Sequence, residues 1–244
     1  MSTIKKIFLI IIIATIIGLT GSFIATDYFS IFVGFDQNYS PIVKLISSFL
    51  ATIIALMIGK DGLSKIDTIM LGIAFPLASI GDIFITTNNY WYENQTIFMI
   101  GAVFFIFSVL ILIIRHSKCF SFLKEDTFKR VLFGLSFFII LIAIVVIFYK
   151  ELVQKGLLII TIIYGSLVIL SLWTGIATFM YKLFPTTNAV LIFLGSISYF
   201  LMELTGQIYN LRLPGWSEAG FILSWAFYTP ALIMLAMSGY KFED

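Results

Sequence analysis

The sequence predicts an all-α fold: a polytopic membrane bundle of about eight transmembrane helices, a single domain over residues 1–244, with both termini cytoplasmic. Three observations predict it. Hydrophobic residues make up 60% of the chain and charged residues 11%, at a mean hydropathy of +1.07, whereas soluble domains carry about a quarter charged residues. Apolar stretches of about 20 residues, the length a helix needs to cross a bilayer, recur along almost the whole chain. The runs are too long and too unbroken for barrel strands, and in lipid each spanning segment must satisfy its own backbone amides, which leaves helices. No length remains for a separate soluble domain. The net charge of +2 comes with no basic patch interleaved with aromatics, so a nucleic-acid partner is excluded.

Lys5 and Lys6 precede the first span, residues 7–25. A signal peptide also opens this way, but the run exceeds the usual h-region of about 7–15 residues and lacks a small-x-small cleavage site, so a retained span is expected. A polar-aromatic loop leads to span two, 42–59, with Lys44 in its first turn, and a charged link, 60–67, leads to span three, 67–87. Span four, 96–114, opens into the most charged stretch, 115–130, where His116 is expected to be solvated and Cys119 to be a reduced thiol, with palmitoylation as the alternative. Spans five to eight follow at 131–149, 156–175, 189–209 and 219–238. With the N-terminus inside, eleven Lys and Arg fall on the cytoplasmic side and four (Lys44, Lys150, Lys155, Arg212) outside, the bias of the positive-inside rule. The triplets Asn38-Tyr39-Ser40 and Asn94-Gln95-Thr96 then both lie outside, where they matter as glycosylation sequons only in a eukaryotic secretory pathway.

Two acidic residues stand inside apolar spans, Asp82 behind Gly81 and Glu203. An ionisable group there costs at least about 2.5 kcal/mol on insertion scales and marks a functional-site hypothesis by default. Both spans run outward in this topology. Asp82 lies about fifteen residues into its span and Glu203 about fourteen, so both stand roughly 21–22 Å from the inner edge. Lys44 is at a similar level, and Gln207, Ser79, Tyr164, Tyr199 and Tyr228 can complete a polar lining. The plain structural alternatives are an Asp82–Lys44 ion pair that locks the bundle, a Glu203 that snorkels to water, and a Lys44 that anchors to headgroups. Two buried carboxylates at one depth suit acid–base chemistry, because burial and mutual repulsion favour one retained proton and so separate a donor from a charge stabiliser. A proton-coupled small-molecule carrier needs the same pair. No nucleophile motif, His-rich metal-ligand cluster or phosphate-cradling glycine loop is present.

The run Pro76-Leu77-Ala78-Ser79-Ile80-Gly81-Asp82-Ile83-Phe84 resembles the Gly-Asp segment of the YhhN-like lysoplasmalogenase family, eight-span membrane proteins that cleave the vinyl ether of lysoplasmalogens. Gly101 with Phe104 and Phe105 is similar to the Gly-and-Phe helix that follows. Gly195-Ser196-Ile197-Ser198-Tyr199-Phe200-Leu201-Met202-Glu203 resembles a later segment ending in Ser-Asp, with Glu203 on the Asp, and Phe227-Tyr228 resembles the aromatic pair of the last span. The chain departs from the pattern at Val109, Met202, Ala231 and Leu45, where the family has His, Ser, Gln and Pro. The resemblance implies an ether hydrolase with Asp82 and Glu203 as the catalytic pair and no metal or organic cofactor. It further implies a lysophospholipid substrate, bound by Lys44 at the phosphate and by Tyr199, Gln207 and Tyr228. A proton-coupled transporter and a catalytically silent lipid-binding relative are the alternatives.

Overall fold

The computed structural model describes residues 3–33, 40–88, 92, 94–117, 134–210 and 217–242. Asn38, Cys119, Arg212 and most of the basic stretch 115–130 lie outside them. Nine helices follow in order among the described residues: α1 (Thr3–Val33), α2 (Ser40–Ile58), α3 (Lys65–Thr87), α4 (Gln95–Ser117), α5 (Phe138–Ile147), α6 (Tyr149–Gln154), α7 (Leu158–Met180), α8 (Thr186–Asn210) and α9 (Ser217–Met237). Seven of them, all but α5 and α6, are long and apolar enough to cross a membrane. The protein is a multi-pass integral membrane protein.

The ends of the helices are set by local chemistry. Ser64 caps α3 by accepting a hydrogen bond from the Asp67 amide at 3.1 Å, and Asn94 accepts one from the Thr96 amide at 2.8 Å ahead of α4, each satisfying a donor that the first turn leaves unpaired. The stretch expected as one span at 131–149 is described from Gly134 on. Its apolar helix, Gly134–Ile147, is interrupted at Phe148, and α6 carries the chain on. This segment lies along α7, Gly134 against Trp173 and Leu141 against Gly165, and beyond α6 the Lys155 carbonyl accepts from Gln95 Nε2 of α4 at 3.3 Å. The turn into α7 uses Gly156 at φ +65°, in the left-handed region that glycine adopts without a Cβ clash.

Both described chain ends lie at one end of the bundle, here called proximal. Lys5 pairs with Asp61 at 2.6 Å, the Leu63 amide donates to the Gly239 carbonyl at 2.9 Å, and the Lys241 amide donates to the Asp61 carbonyl at 2.9 Å. The first helix belongs to the core, with Ile16 and Phe23 buried.

The proximal end also corrects two expectations. Arg115 and His116 are not loop residues: both are fully buried in the last turn of α4. Asp67, assigned to a charged link, is buried in the first turn of α3 and takes the Arg115 guanidinium in a two-point contact, Nε to Oδ1 at 2.8 Å and NH2 to Oδ2 at 3.1 Å. Arg115 donates further to the Ser238 hydroxyl and carbonyl at 2.8 and 3.0 Å, and Asn188 Nδ2 donates to the Ser238 and Tyr240 carbonyls at 2.7 and 2.6 Å. The physical reason is that a planar fork of donors can be buried when every donor meets an acceptor. The contacts bind α3, α4, α8 and the end of α9 together. Asp67→Asn leaves a buried guanidinium without its counter-charge, so the variant is expected to lose about 3–5 kcal/mol of stability. Thermal unfolding in detergent measures this, and a midpoint equal to the parent's would show that the pair holds nothing together.

Candidate active site

Asp82 and Glu203 each stand 17 residues beyond the start of their helices, Lys65 and Thr186, which both begin at the proximal end. At 1.5 Å per residue this puts both about 25 Å up the bundle, in its distal half. They line one partly open cavity of about 120 Å³, against the roughly 10–15 Å³ that one water requires on that measure. Its polar residues also include Thr161, Tyr164, Gln207, Ser224 and Tyr228, and its apolar walls come from α4, α7 and α9.

The position of Asp82 depends on its neighbour. A Cβ on Gly81 would stand 2.8 Å from the Phe105 ring and 3.2 Å from the Gly101 carbonyl, and a Cβ on Gly101 would stand 3.1 Å from the Gly81 carbonyl. Paired glycines therefore let α3 and α4 approach backbone to backbone, as small residues do in membrane helix contacts. That approach brings Phe105 against Tyr228, ring centroids 6.3 Å apart.

Asp82 Oδ2 accepts hydrogen bonds from Ser48 Oγ of α2 and, at 2.8 Å, from the Tyr228 hydroxyl of α9. A hydroxyl has one proton to give. With that of Ser48 on Asp82, the Ser79 hydroxyl has two acceptors on Ser48, its hydroxyl at 3.1 Å and its carbonyl at 3.2 Å, and Thr52 donates to Ser79, 2.7 Å away. The row Thr52, Ser79, Ser48 thus leads to the carboxylate as a connected set of hydroxyls. On the other wall Tyr164 of α7 donates to Glu203 Oε1, so the Tyr199 hydroxyl, 2.7 Å from that of Tyr164, is the donor of that pair. Tyr199 and Tyr228 pack edge to face at 6.3 Å, which joins the two halves. Among the described residues no group of His, Cys, Asp and Glu side chains is gathered that could hold a metal ion.

Of the six site residues expected from sequence, Asp82, Glu203, Gln207 and Tyr228 line this cavity. Tyr199 is not on its surface; it reaches Glu203 through Tyr164. Lys44 is not on the surface either. It is fully buried, with its ammonium 4.0 Å from the centre of the Phe221 ring, 5.3 Å from that of Trp225 and 5.5 Å from that of Phe23, a cation–π setting. Phe221 and Trp225 line the cavity, so Lys44 stands behind its wall. Ser48 and Thr52 were missed. With Lys44 they form a row at i, i+4 and i+8, one face of a helix, and a polar row at that spacing in an apolar span was the available signal.

These features define a class: a helical membrane protein with a cavity in one half of the bundle, walled by two carboxylates and the hydroxyls that serve them. The YhhN family model matches residues 39–239, and the chain belongs to the YhhN family. No curated protein and no solved structure shows a significant match to the chain.

Ser48→Ala and Tyr228→Phe each remove one donor from Asp82 while keeping the packing around it. Each is expected to cost roughly 1.5–3 kcal/mol, the range for a hydrogen bond to a charged group. Thermal unfolding of both variants and of the double variant is the check, and unshifted midpoints would show that these bonds do not hold the carboxylate.

Proposed function

We propose that the protein is a membrane-embedded hydrolase of the lysoplasmalogenase type, cleaving the vinyl ether of a lysoplasmalogen to a fatty aldehyde and a glycerophospho-alcohol. The observation that carries this reading is the single cavity walled by Asp82 on α3 and Glu203 on α8, each held by hydroxyl donors. Family membership supports it, through the resemblance of the Gly-Asp and Glu203 segments to lysoplasmalogenases.

The chemistry asks for two groups. A proton is delivered to the vinyl carbon remote from oxygen, the step that needs a positioned acid. The resulting oxocarbenium ion is met by a nearby carboxylate whose charge stabilises it while water adds. The adding water gives up a proton that restores the acid, and the hemiacetal then breaks its C–O bond, its hydroxyl proton passing to the departing oxygen, to give aldehyde and alcohol, so the pair ends as it began. Asp82, taking two hydroxyl donors on one oxygen, suits the ionised partner. Glu203, backed by Tyr164 and Tyr199, suits the proton donor. Gln207, Ser224 and Tyr228 offer hydrogen bonds to the polar end of the substrate, and the bias of Lys and Arg along the sequence supports a cavity half on the non-cytoplasmic side.

The purified protein is expected to release aldehyde from lysoplasmenyl-ethanolamine. Asp82→Asn and Glu203→Gln, folded as the parent is, are each expected to lower kcat/KM at least about 100-fold, the smaller end of a general acid–base contribution. Parent protein that releases no aldehyde, yet moves solute across sealed vesicles in step with a proton gradient, would replace this reading with a carrier.

A further inference from the structure

A second cavity adjoins the first. It measures about 50 Å³, is partly open, and shares Thr161, Tyr164, Glu203 and Gln207 with the first as a common wall. Beyond those four its lining is apolar apart from Gly165: Leu141 and Ile144 of α5, Val168 and Ile169 of α7, Phe200 and Leu204 of α8. On α7 the first cavity reaches from Leu157 to Tyr164 and the second from Thr161 to Ile169. The second therefore extends five residues, about 7.5 Å, further towards the proximal end. Ile169 is the middle residue of the 23-residue α7, so this chamber ends near mid-height of the bundle.

The two chambers form a gradient. The distal one alone carries Asp82, Ser224 and Tyr228; the deeper one adds only apolar side chains; Thr161, Tyr164, Glu203 and Gln207 stand at the junction. A lipid in the distal leaflet has the same order, with its polar group near the surface and its chain running to the midplane. The deeper chamber is partly open. Among the described residues α5 packs on α6 and α7 without a comparable pairing with α8, and Ile139, Ile142 and Val146 of α5 are exposed.

We propose that the deeper chamber is the binding site for one aliphatic chain of an amphiphile, which enters between α5 and α8 and places its head-to-chain junction at Glu203. The inference deepens the hydrolase reading and rests on it for the nature of the substrate. One chain fits the single narrow chamber, and a vinyl ether one bond from the glycerol oxygen would lie where the polar and apolar chambers meet.

The test uses a ligand that cannot be hydrolysed, so that it stands apart from activity. A saturated 1-O-hexadecyl lysophosphoethanolamine carrying a diazirine in mid-chain is photolysed with the detergent-solubilised full-length protein, and the adducts are mapped. Adducts on Leu141, Ile144, Phe200 or Leu204, competed away by the unlabelled long-chain ligand, are expected. Leu204→Trp and Ile144→Trp, at half-buried positions on different helices, should each weaken binding of the hexadecyl ligand roughly tenfold and leave a methyl analogue, which has no chain to place in the chamber, within about twofold. Adducts scattered over α1 and α4 without competition would overturn the proposal, as would equal affinity for methyl and hexadecyl ligands in the parent protein. The map on the parent decides even if a tryptophan variant fails to fold. A positive map with no aldehyde release would leave the chain site standing and remove the hydrolase.

Discussion

A carboxylate carried on a membrane helix has no water to satisfy it, so its hydrogen bonds must come from other helices. That constraint organises the distal half of this bundle. Asp82 on α3 draws Ser48 from α2 and Tyr228 from α9, and Tyr228 in turn leans on Tyr199 of α8, Phe105 of α4 and Trp225. Five long helices thereby take their registers from the neighbourhood of one side chain. Glu203 has the same effect on α7 through Tyr164.

The proximal half follows the same rule with a different solution. There the charge is neutralised within the protein, Arg115 against Asp67, and the remaining donors of the guanidinium are used up on Ser238 and His116 Nε2. A neutralised and fully bonded pair is a closed structural unit. Asp82 and Glu203 have only hydroxyl partners in the contacts described and face a cavity. The contrast between the two ends explains why reactivity is assigned to one and anchoring to the other.

Much of this was legible in the sequence, for identifiable reasons. The seven long helices follow from hydropathy because lipid tolerates no other backbone arrangement, and Asp82 and Glu203 stand out because charge is rare in such segments. Gly81 and Gly101 could be read as small residues, but that they meet each other depends on which helices pack, which one chain's periodicity does not reveal. Asp67 and Arg115 were misread for a related reason. Each lies at a helix end, where a charge is ordinary, and only their pairing across 48 residues takes them out of water. Lys44 was placed by height alone, and height cannot say which side of an aromatic wall an ammonium occupies. The row Lys44, Ser48 and Thr52 was readable and went unread, because hydroxyls in apolar spans commonly bond back to their own helix, as Ser47 does to the Val43 carbonyl.

The turn at Gly156 has a further consequence. Its positive φ, and the Gln95 amide 2.6 Å from where a Cβ would stand, leave that position to glycine alone. The junction of α6 and α7 is therefore intolerant of substitution although it touches no reacting group, and damage there would register as lost protein rather than as altered chemistry.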